Sequence, residues 1–232
     1  MVAQKPISVV ISSRLKEEES ADFLSMLSKT SEWPIRVMYV INENGIALTK
    51  IYSSMLSDNR TDSDIMVFVH DDVEFLRPGW GKELVRLFNT NKKYGIIGVA
   101  GSAQFDENGA WWQYEKKYGQ VLHKVDGKSW LTIFSPLLDK DLEEVCVIDG
   151  LFMAVNRRRI RKDFDTDIEG FDMYDIDFCL ANYLSGKCKI GVTTNIRLAH
   201  KSAGDLKESW YKNREYIIKK YGDKFPIEVG KK

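Results

Sequence analysis

A histidine followed by two aspartates is the sharpest chemical feature of the chain. His70-Asp71-Asp72 comes directly after Ile65–Val69, an uninterrupted apolar run. Adjacent carboxylates repel each other, and a bound divalent cation would relieve that repulsion. Carboxylate oxygens suit Mg²⁺ or Mn²⁺, and an imidazole nitrogen is acceptable to Mn²⁺. A polar turn that ends a strand explains these residues about equally well, because Asp is common in turns.

A second acidic cluster contains Asp172, Asp175 and Asp177. Asp172 is a suitable N-cap for a following helix, and acids in a first helical turn offset the helix dipole. One of these carboxylates could instead act as a general base at the lip of a cleft. The pattern alone favours the capping interpretation, because such caps are routine.

Four further residues each have a structural and a functional interpretation. A lone histidine is more often structural than a metal ligand. His200, however, follows a short strand and precedes the loop 201–204, which is a better position for a metal ligand than average. Gly150, next to Asp149, permits close approach of a ligand, although a bulge explains it as well. Trp111 and Trp112 could stack on a sugar ring or a base, or belong to the core, and the sequence leaves both open.

Hydrophobic patterning places these residues on alternating strands and helices. It predicts strands at 7–11, 35–41, 65–69 and 95–100, and helices at 16–30, 47–56 and 80–89. This alternation favours a doubly wound, parallel sheet. Ligands of such sheets lie beyond the carboxyl ends of the strands, where His70-Asp71-Asp72 is expected.

The second half of the chain is less regular. Residues 101–136 are rich in Gly and aromatics and predict a long functional excursion with short strands. The pattern then predicts a helix from about Met173, strands at 189–193 and 196–199, and a last helix over 205–221. The sequence shows no repeat or linker, which predicts one domain over residues 1–232.

Composition excludes some function classes. The chain has 34 Lys and Arg against 34 Asp and Glu, which argues against a nucleic-acid partner. Three cysteines without metal-ligand spacing fit a reduced, cytoplasmic protein. No apolar run approaches the roughly 18 residues of a membrane span, so we expect a soluble protein, with peripheral membrane contact left open. Nothing in the sequence indicates an oligomeric state.

Taken in order, five segments resemble family 2 inverting glycosyltransferases of the GT-A fold, and in particular a small bacterial branch of them. The segments are residues 7–12, 68–73, 147–154, 174–178 and 198–200. Each is short, but together they span nearly the whole chain. The resemblance implies an α/β fold with a mixed, mainly parallel sheet flanked by helices.

The resemblance also implies a role for each matching position. His70, Asp72 and His200 would bind Mn²⁺ or Mg²⁺, and Asp175 would be the catalytic base. The residues expected to contact the nucleotide-diphosphate sugar are Ser12, Asp71, Asp72 and Gly150. The expected donor is a UDP-sugar by default, and the expected acceptor is a glycan or a lipid-linked molecule in polysaccharide or glycoconjugate synthesis.

The chain departs from the family pattern at several places. His70 stands where the metal motif has its first Asp, and Tyr174 stands where a Glu precedes the base. Residues 40–43 lack the family's Asp, and no Gln-x-x-Arg-Trp element is evident. These departures motivate an alternative, a catalytically inactive nucleotide-sugar-binding GT-A domain. A nucleotidyltransferase is disfavoured, because residues 12–16 contain no glycine.

Overall fold

The computed structural model describes residues 4–135, 140–202, 204 and 206–231, and this part of the chain contains fifteen strands and five α-helices. The strands are β1 Ile7–Ser13, β2 Ile35–Ile41, β3 Ile65–Val69, β4 Val73–Phe75, β5 Tyr94–Gly98, β6 Ala100–Ser102, β7 Gln104–Phe105, β8 Lys117–Val125, β9 Lys128–Ile133, β10 Glu143–Val145, β11 Val147–Ile148, β12 Phe152–Asn156, β13 Lys189–Val192, β14 Leu198–His200 and β15 Ile227–Glu228. The α-helices are α1 Ala21–Ser31, α2 Leu48–Leu56, α3 Trp80–Thr90, α4 Tyr174–Leu184 and α5 Glu208–Tyr221. Short 3₁₀ turns cover Glu18–Ser20, Trp111–Gln113 and Gly222–Lys224.

The larger sheet has seven strands in the order β10-β13-β5-β12-β3-β1-β2 among the described residues. Strands β1, β2, β3, β5 and β13 run in one direction, whereas β10 and β12 run in the other. All five residues of β12 are buried, as expected of a strand paired on both edges and covered on both faces. The sheet is therefore mixed and mainly parallel, which confirms the predicted fold class.

The second sheet is built largely from the predicted excursion. Its order is β11-β6-β8-β14-β4, and β9 pairs with β8 as a long hairpin. Strand β4 begins directly after Asp72, so residues 70–72 connect the large sheet to the small one. Pro136 and the three residues after it lie outside the described residues. The excursion thus forms a sheet that covers the carboxyl ends of the parallel strands.

Helix α5 is joined to α4 by an ion pair between Lys220 and a buried aspartate. Asp177 is 1% exposed, and its Oδ1 accepts hydrogen bonds from Lys220 Nζ at 2.7 Å and from Tyr221 Oη at 2.8 Å. Asp177 therefore anchors the C-terminal helix. Helix α5 begins at Glu208, later than predicted, and Asp205 lies outside the described residues.

Two further sequence predictions concern the whole chain. The cysteines are all free and buried, at Cys146, Cys179 and Cys188. Within the described ranges, every helix is too short or too polar to cross a membrane.

Candidate functional site

Two histidines and one aspartate form a compact set of candidate metal ligands. One donor atom from each of His70, Asp72 and His200 lies within 4.8 Å of the others. His70 and Asp72 follow β3, whereas His200 ends β14, which pairs antiparallel with β4 so that His200 lies opposite Val73. The backbone N–H of Lys201 donates to Asp72 O at 3.0 Å. The pairing of β14 with β4 therefore brings His200 to the aspartate.

The donor atoms fit a divalent cation. Asp72 Oδ1 is buried and makes no hydrogen bond, although His200 Nε2 lies 3.2 Å away and His70 Nδ1 4.0 Å away. Burial raises the pKa of Asp72, but the neighbouring imidazoles outweigh it and hold that pKa at about 2. Burial also lowers the pKa of His70, which favours the neutral imidazole that binds metals. An ionised, unpartnered oxygen between two imidazoles is the arrangement that a cation would complete.

A hydrogen-bonded chain sets the tautomer of His70. The buried Tyr174 hydroxyl donates to Gly150 O at 3.1 Å and lies 2.9 Å from His70 Nε2. Burial raises the pKa of Tyr174 well above its ordinary value, so the hydroxyl keeps its one proton. The 2.9 Å contact is compatible with either tautomer of His70, but when the Tyr174 proton is donated to Gly150 O, the Tyr174 oxygen accepts from His70 Nε2–H. The lone pair of His70 is then on Nδ1, the nitrogen that faces Asp72, as in metal sites where a second partner orients the imidazole.

Gly150 is required by this chain of contacts. A Cβ atom at this position would lie 2.2 Å from Tyr174 Oη and 2.6 Å from Tyr174 Cζ. The glycine therefore permits close approach of Tyr174 rather than an unusual backbone turn. Its N–H donates to Asp175 Oδ2 at 2.7 Å, so one residue contacts both Tyr174 and Asp175.

Asp175 has the properties of a general base. Burial, and secondarily the nearby carboxylate of Asp149, raise the pKa of Asp175 to about 7. Its two oxygens accept backbone N–H groups from Gly150 and Ile176, which fix the carboxyl group at the first turn of α4. A base with a pKa near neutral pH combines a large ionised fraction with good proton affinity.

His70, His200 and Asp175 border the same cavity, which has a volume of about 580 Å³. Trp111, Trp112 and Trp210 lie along one side of this cavity, and the β8–β9 hairpin contributes another side. Trp111 is 4% exposed and packs against Phe134 at a ring-centroid distance of 4.9 Å. The two tryptophans left open by the sequence thus belong both to the packed core and to the cavity wall.

The donor residues expected at β1 and β3 form a separate polar group. Ser13 Oγ donates to Asp71 Oδ2, and Asn42 Nδ2 donates to Ser12 Oγ at 3.3 Å. Asn42 is 2% exposed and also bonds both backbone groups of Ile46, which closes the turn after β2. Ser12 and Asp71 therefore lie at the carboxyl ends of adjacent strands, on the β1–β2 side of the metal ligands.

Comparison with known proteins gives a family for this arrangement. The model of the Glycosyltransferase like family matches residues 7–221. The chain belongs to this family. No curated protein sequence matches it. Membership of the glycosyltransferase-like family supports glycosyl transfer as the general activity.

Two solved structures resemble this glycosyltransferase-like chain. The mannosyltransferase PcManGT from Pyrobaculum calidifontis, solved in complex with GDP-Man and Mn²⁺, has 7% sequence identity and a TM-score of 0.52. The match covers 96% of this chain and 65% of that one, and it shows a common GT-A fold. The protein A197 from STIV has 11% identity and a TM-score of 0.44, over 87% of this chain and 97% of that one.

The structure brings most of the predicted residues together. His70, Asp72 and His200 form one group, and Gly150 and Asp175 lie in direct contact beside it. Asp172 is not the N-cap of α4, because Met173 occupies that position with a φ of 63° and Asp172 accepts a hydrogen bond from Ser209.

Sequence reasoning missed three members of the site. They are Ser13, Asn42 and His123. Ser13 and Asn42 had a local signal, since each ends a strand at the same edge of the sheet. His123 had none, because its place beside His200 depends on the pairing of β8 with β14.

Proposed function

We propose that this protein is an inverting, metal-dependent glycosyltransferase that moves a sugar from a nucleotide-diphosphate donor to a hydroxyl acceptor. The observation that carries the proposal is that Asp175, a held carboxyl group with a raised pKa, lines the same cavity as His70 and His200, which are grouped with Asp72 as candidate metal ligands. A base beside a cation site is the combination that this transfer requires.

The chain's own residues account for the proton and the geometry. Ionised Asp175 takes the proton of an acceptor hydroxyl, whose oxygen attacks the anomeric carbon while the bond from that carbon to the diphosphate oxygen breaks. Attack opposite the leaving group inverts the anomeric configuration. Gly150 and Ile176 orient the carboxyl group through their N–H groups. When bound, the cation would supply positive charge to the departing diphosphate.

The ligand set favours Mn²⁺ over Mg²⁺. Two of its three donors are imidazole nitrogens, and Mg²⁺ prefers an octahedral set of oxygens and retained waters. Tyr174 holds His70 with its Nδ1 lone pair toward Asp72, so the histidine at the first position of the motif is accommodated as a ligand. The two departures from the family pattern, His70 and Tyr174, are thus in contact and support each other.

The first experiment measures thermal stability with UDP, GDP, CDP and dTDP, each with Mn²⁺, with Mg²⁺ and with neither. GDP is included because the mannosyltransferase of similar fold was solved with GDP-Man. A nucleotide at about a hundredfold its dissociation constant should add about 2.7 kcal/mol to the free energy of unfolding. We expect one nucleotide to stabilise the protein with Mn²⁺, and Asp72→Ala to abolish this effect.

Turnover separates the proposal from a domain that only binds nucleotide sugars. The protein is incubated with Mn²⁺ and a sugar donor that carries the nucleotide found to bind in the first experiment. Release of the nucleoside diphosphate is then followed. Slow hydrolysis that Asp175→Asn abolishes supports the transferase, whereas binding without any release supports the inactive domain. Asp223→Asn, at an exposed carboxylate paired with Lys224, is the control. If no nucleotide binds, both the transferase and the inactive nucleotide-sugar-binding domain are refuted.

A further inference from the structure

One wall of the cavity is a single face of the β8–β9 hairpin. Because side chains alternate along a strand, Val121 and His123 of β8 face the same side as Trp130 and Thr132 of β9. The register confirms this, since His123 lies opposite Trp130 and Val121 opposite Thr132. All four line the cavity, whereas Leu131, between two of them, does not.

Aromatic rings of the hairpin, of residues 111–112 and of α5 line this cavity. Trp130 stacks on His123 with a centroid distance of 5.1 Å and an interplanar angle of 18°, yet it remains 42% exposed. Trp112 packs near Trp210 at 6.2 Å, and Phe171 is 40% exposed at the rim. A monomeric protein seldom leaves such rings open beside a polar site unless a ligand covers them.

Within the described part of the chain, the cavity carries acidic groups, and its basic side chains are histidines only, two of which are the candidate metal ligands His70 and His200. Asp149, Asp172 and Asp175 line it, and no lysine or arginine does so among the described residues. Arg14 lies over the Phe171 ring at 5.8 Å without lining the cavity, and the Arg214 Nε group is used on Asn108 O. An anionic acceptor would be repelled by these carboxylates, and the cation of the proposed function would already be paired with the donor diphosphate, so the acceptor charge would have no partner.

We propose that the acceptor is an uncharged saccharide whose ring stacks on the aromatic wall and whose hydroxyl groups bond the aspartates. This inference rests on the proposed function and adds the acceptor class. One face of a pyranose ring carries C–H groups that pack against aromatic faces, and its edge carries hydroxyls that donate to carboxylates. The rim ring Trp130 covers the sugar, while Asp175 faces the hydroxyl that reacts.

The test measures binding by saturation-transfer NMR and tryptophan fluorescence, with and without Mn²⁺ and the nucleoside diphosphate. The probes are the methyl glycosides of glucose, galactose, mannose and N-acetylglucosamine and their common disaccharides, set against glucuronate, hexose 6-phosphates and phosphatidylglycerol vesicles. We expect at least one neutral saccharide to bind and the anionic probes not to bind. Trp130→Ala should weaken this binding three- to tenfold, the size of one aromatic contact of about 1 kcal/mol.

Leu131→Ala is the matched control, because Leu131 is on the same strand, is 53% exposed and points away from the cavity. Urea unfolding of both variants checks that each keeps its fold. Three results would overturn the inference. They are preferred binding of an anionic probe or of vesicles, binding of no saccharide, and equal weakening of saccharide binding by the two variants. The proposed function fails separately, through loss of the nucleotide and Mn²⁺ effect, which neither variant should change.

Discussion

Replacing Asp175 with asparagine should stabilise the protein at alkaline pH while abolishing transfer. The folded protein raises the pKa of Asp175 from 3.8 to about 7, chiefly through burial. The native state therefore holds this proton more tightly than the unfolded chain does. Between pH 4 and pH 7 the contribution of Asp175 to the free energy of unfolding falls as pH rises, by about 4 kcal/mol for a shift of about three pKa units.

Asparagine removes this penalty because its amide stays neutral. It has one acceptor oxygen for the N–H groups of Gly150 and Ile176, so one of these two bonds is lost at a cost of about 1 kcal/mol. We therefore expect Asp175→Asn to be less stable than the natural protein by about 1 kcal/mol at pH 4 and more stable by about 3 kcal/mol at pH 8. Enzymes often gain stability when a buried catalytic charge is removed.

The assay is urea unfolding followed by tryptophan fluorescence at pH values from 4 to 8.5, with EDTA present so that metal does not contribute. The quantity compared is the difference in free energy of unfolding between the two proteins at each pH. Other titrating groups, including the histidines, are common to both and cancel. A difference that stays constant with pH would refute the assignment of a raised pKa to Asp175, and with it the role of Asp175 as a base poised near neutrality.

Three further substitutions test the supporting contacts. Tyr174→Phe removes the oxygen that accepts from His70 Nε2–H, and we expect it to weaken Mn²⁺ binding 10- to 100-fold. Electron paramagnetic resonance of the free Mn²⁺ ion measures this affinity, and an unchanged affinity would contradict the assigned His70 tautomer. Gly150→Ala places a Cβ 2.2 Å from Tyr174 Oη, so we expect a lower melting temperature and loss of donor turnover. A fully stable variant would show that Tyr174 can move freely. Lys220→Met removes the partly exposed cation that pairs with Asp177 and Asp165, while Tyr221 still donates to Asp177, and should cost about 2 kcal/mol in urea unfolding. Partial recovery is expected in the Lys220→Met/Asp177→Asn double variant, and equal losses in both would assign the effect to packing.

Local pattern was sufficient to predict the strand that carries the metal ligands. Ile65–Val69 is apolar throughout and stops abruptly at His70, so both the buried strand and the polar residues at its carboxyl end are visible in the sequence. The raised pKa of Asp175 is not visible there. It arises from burial and from Asp149, which the chain brings near only after folding.

Long-range pairing accounts for what the sequence pattern alone could not supply. His123 joins the cavity because β8 pairs with β14 and places it beside His200. Asp172 looked like a helix cap, but its carboxylate bonds Ser209 at the start of α5, and Met173 takes the cap position. In both cases contacts between distant segments determine the role of the residue. The local sequence gives no sign of this role for His123 and predicts a different role for Asp172.

The antiparallel strand β12 has a consequence for the synthesis of the chain. It lies between β3 and β5, both of which precede it by a long stretch of sequence, so each has an unpaired edge until Phe152–Asn156 leaves the ribosome. Exposed edges of apolar strands are templates for aggregation. A nascent chain that pauses before residue 152 should therefore depend on chaperones, and a truncated product ending there should be insoluble and unable to assemble the cation site.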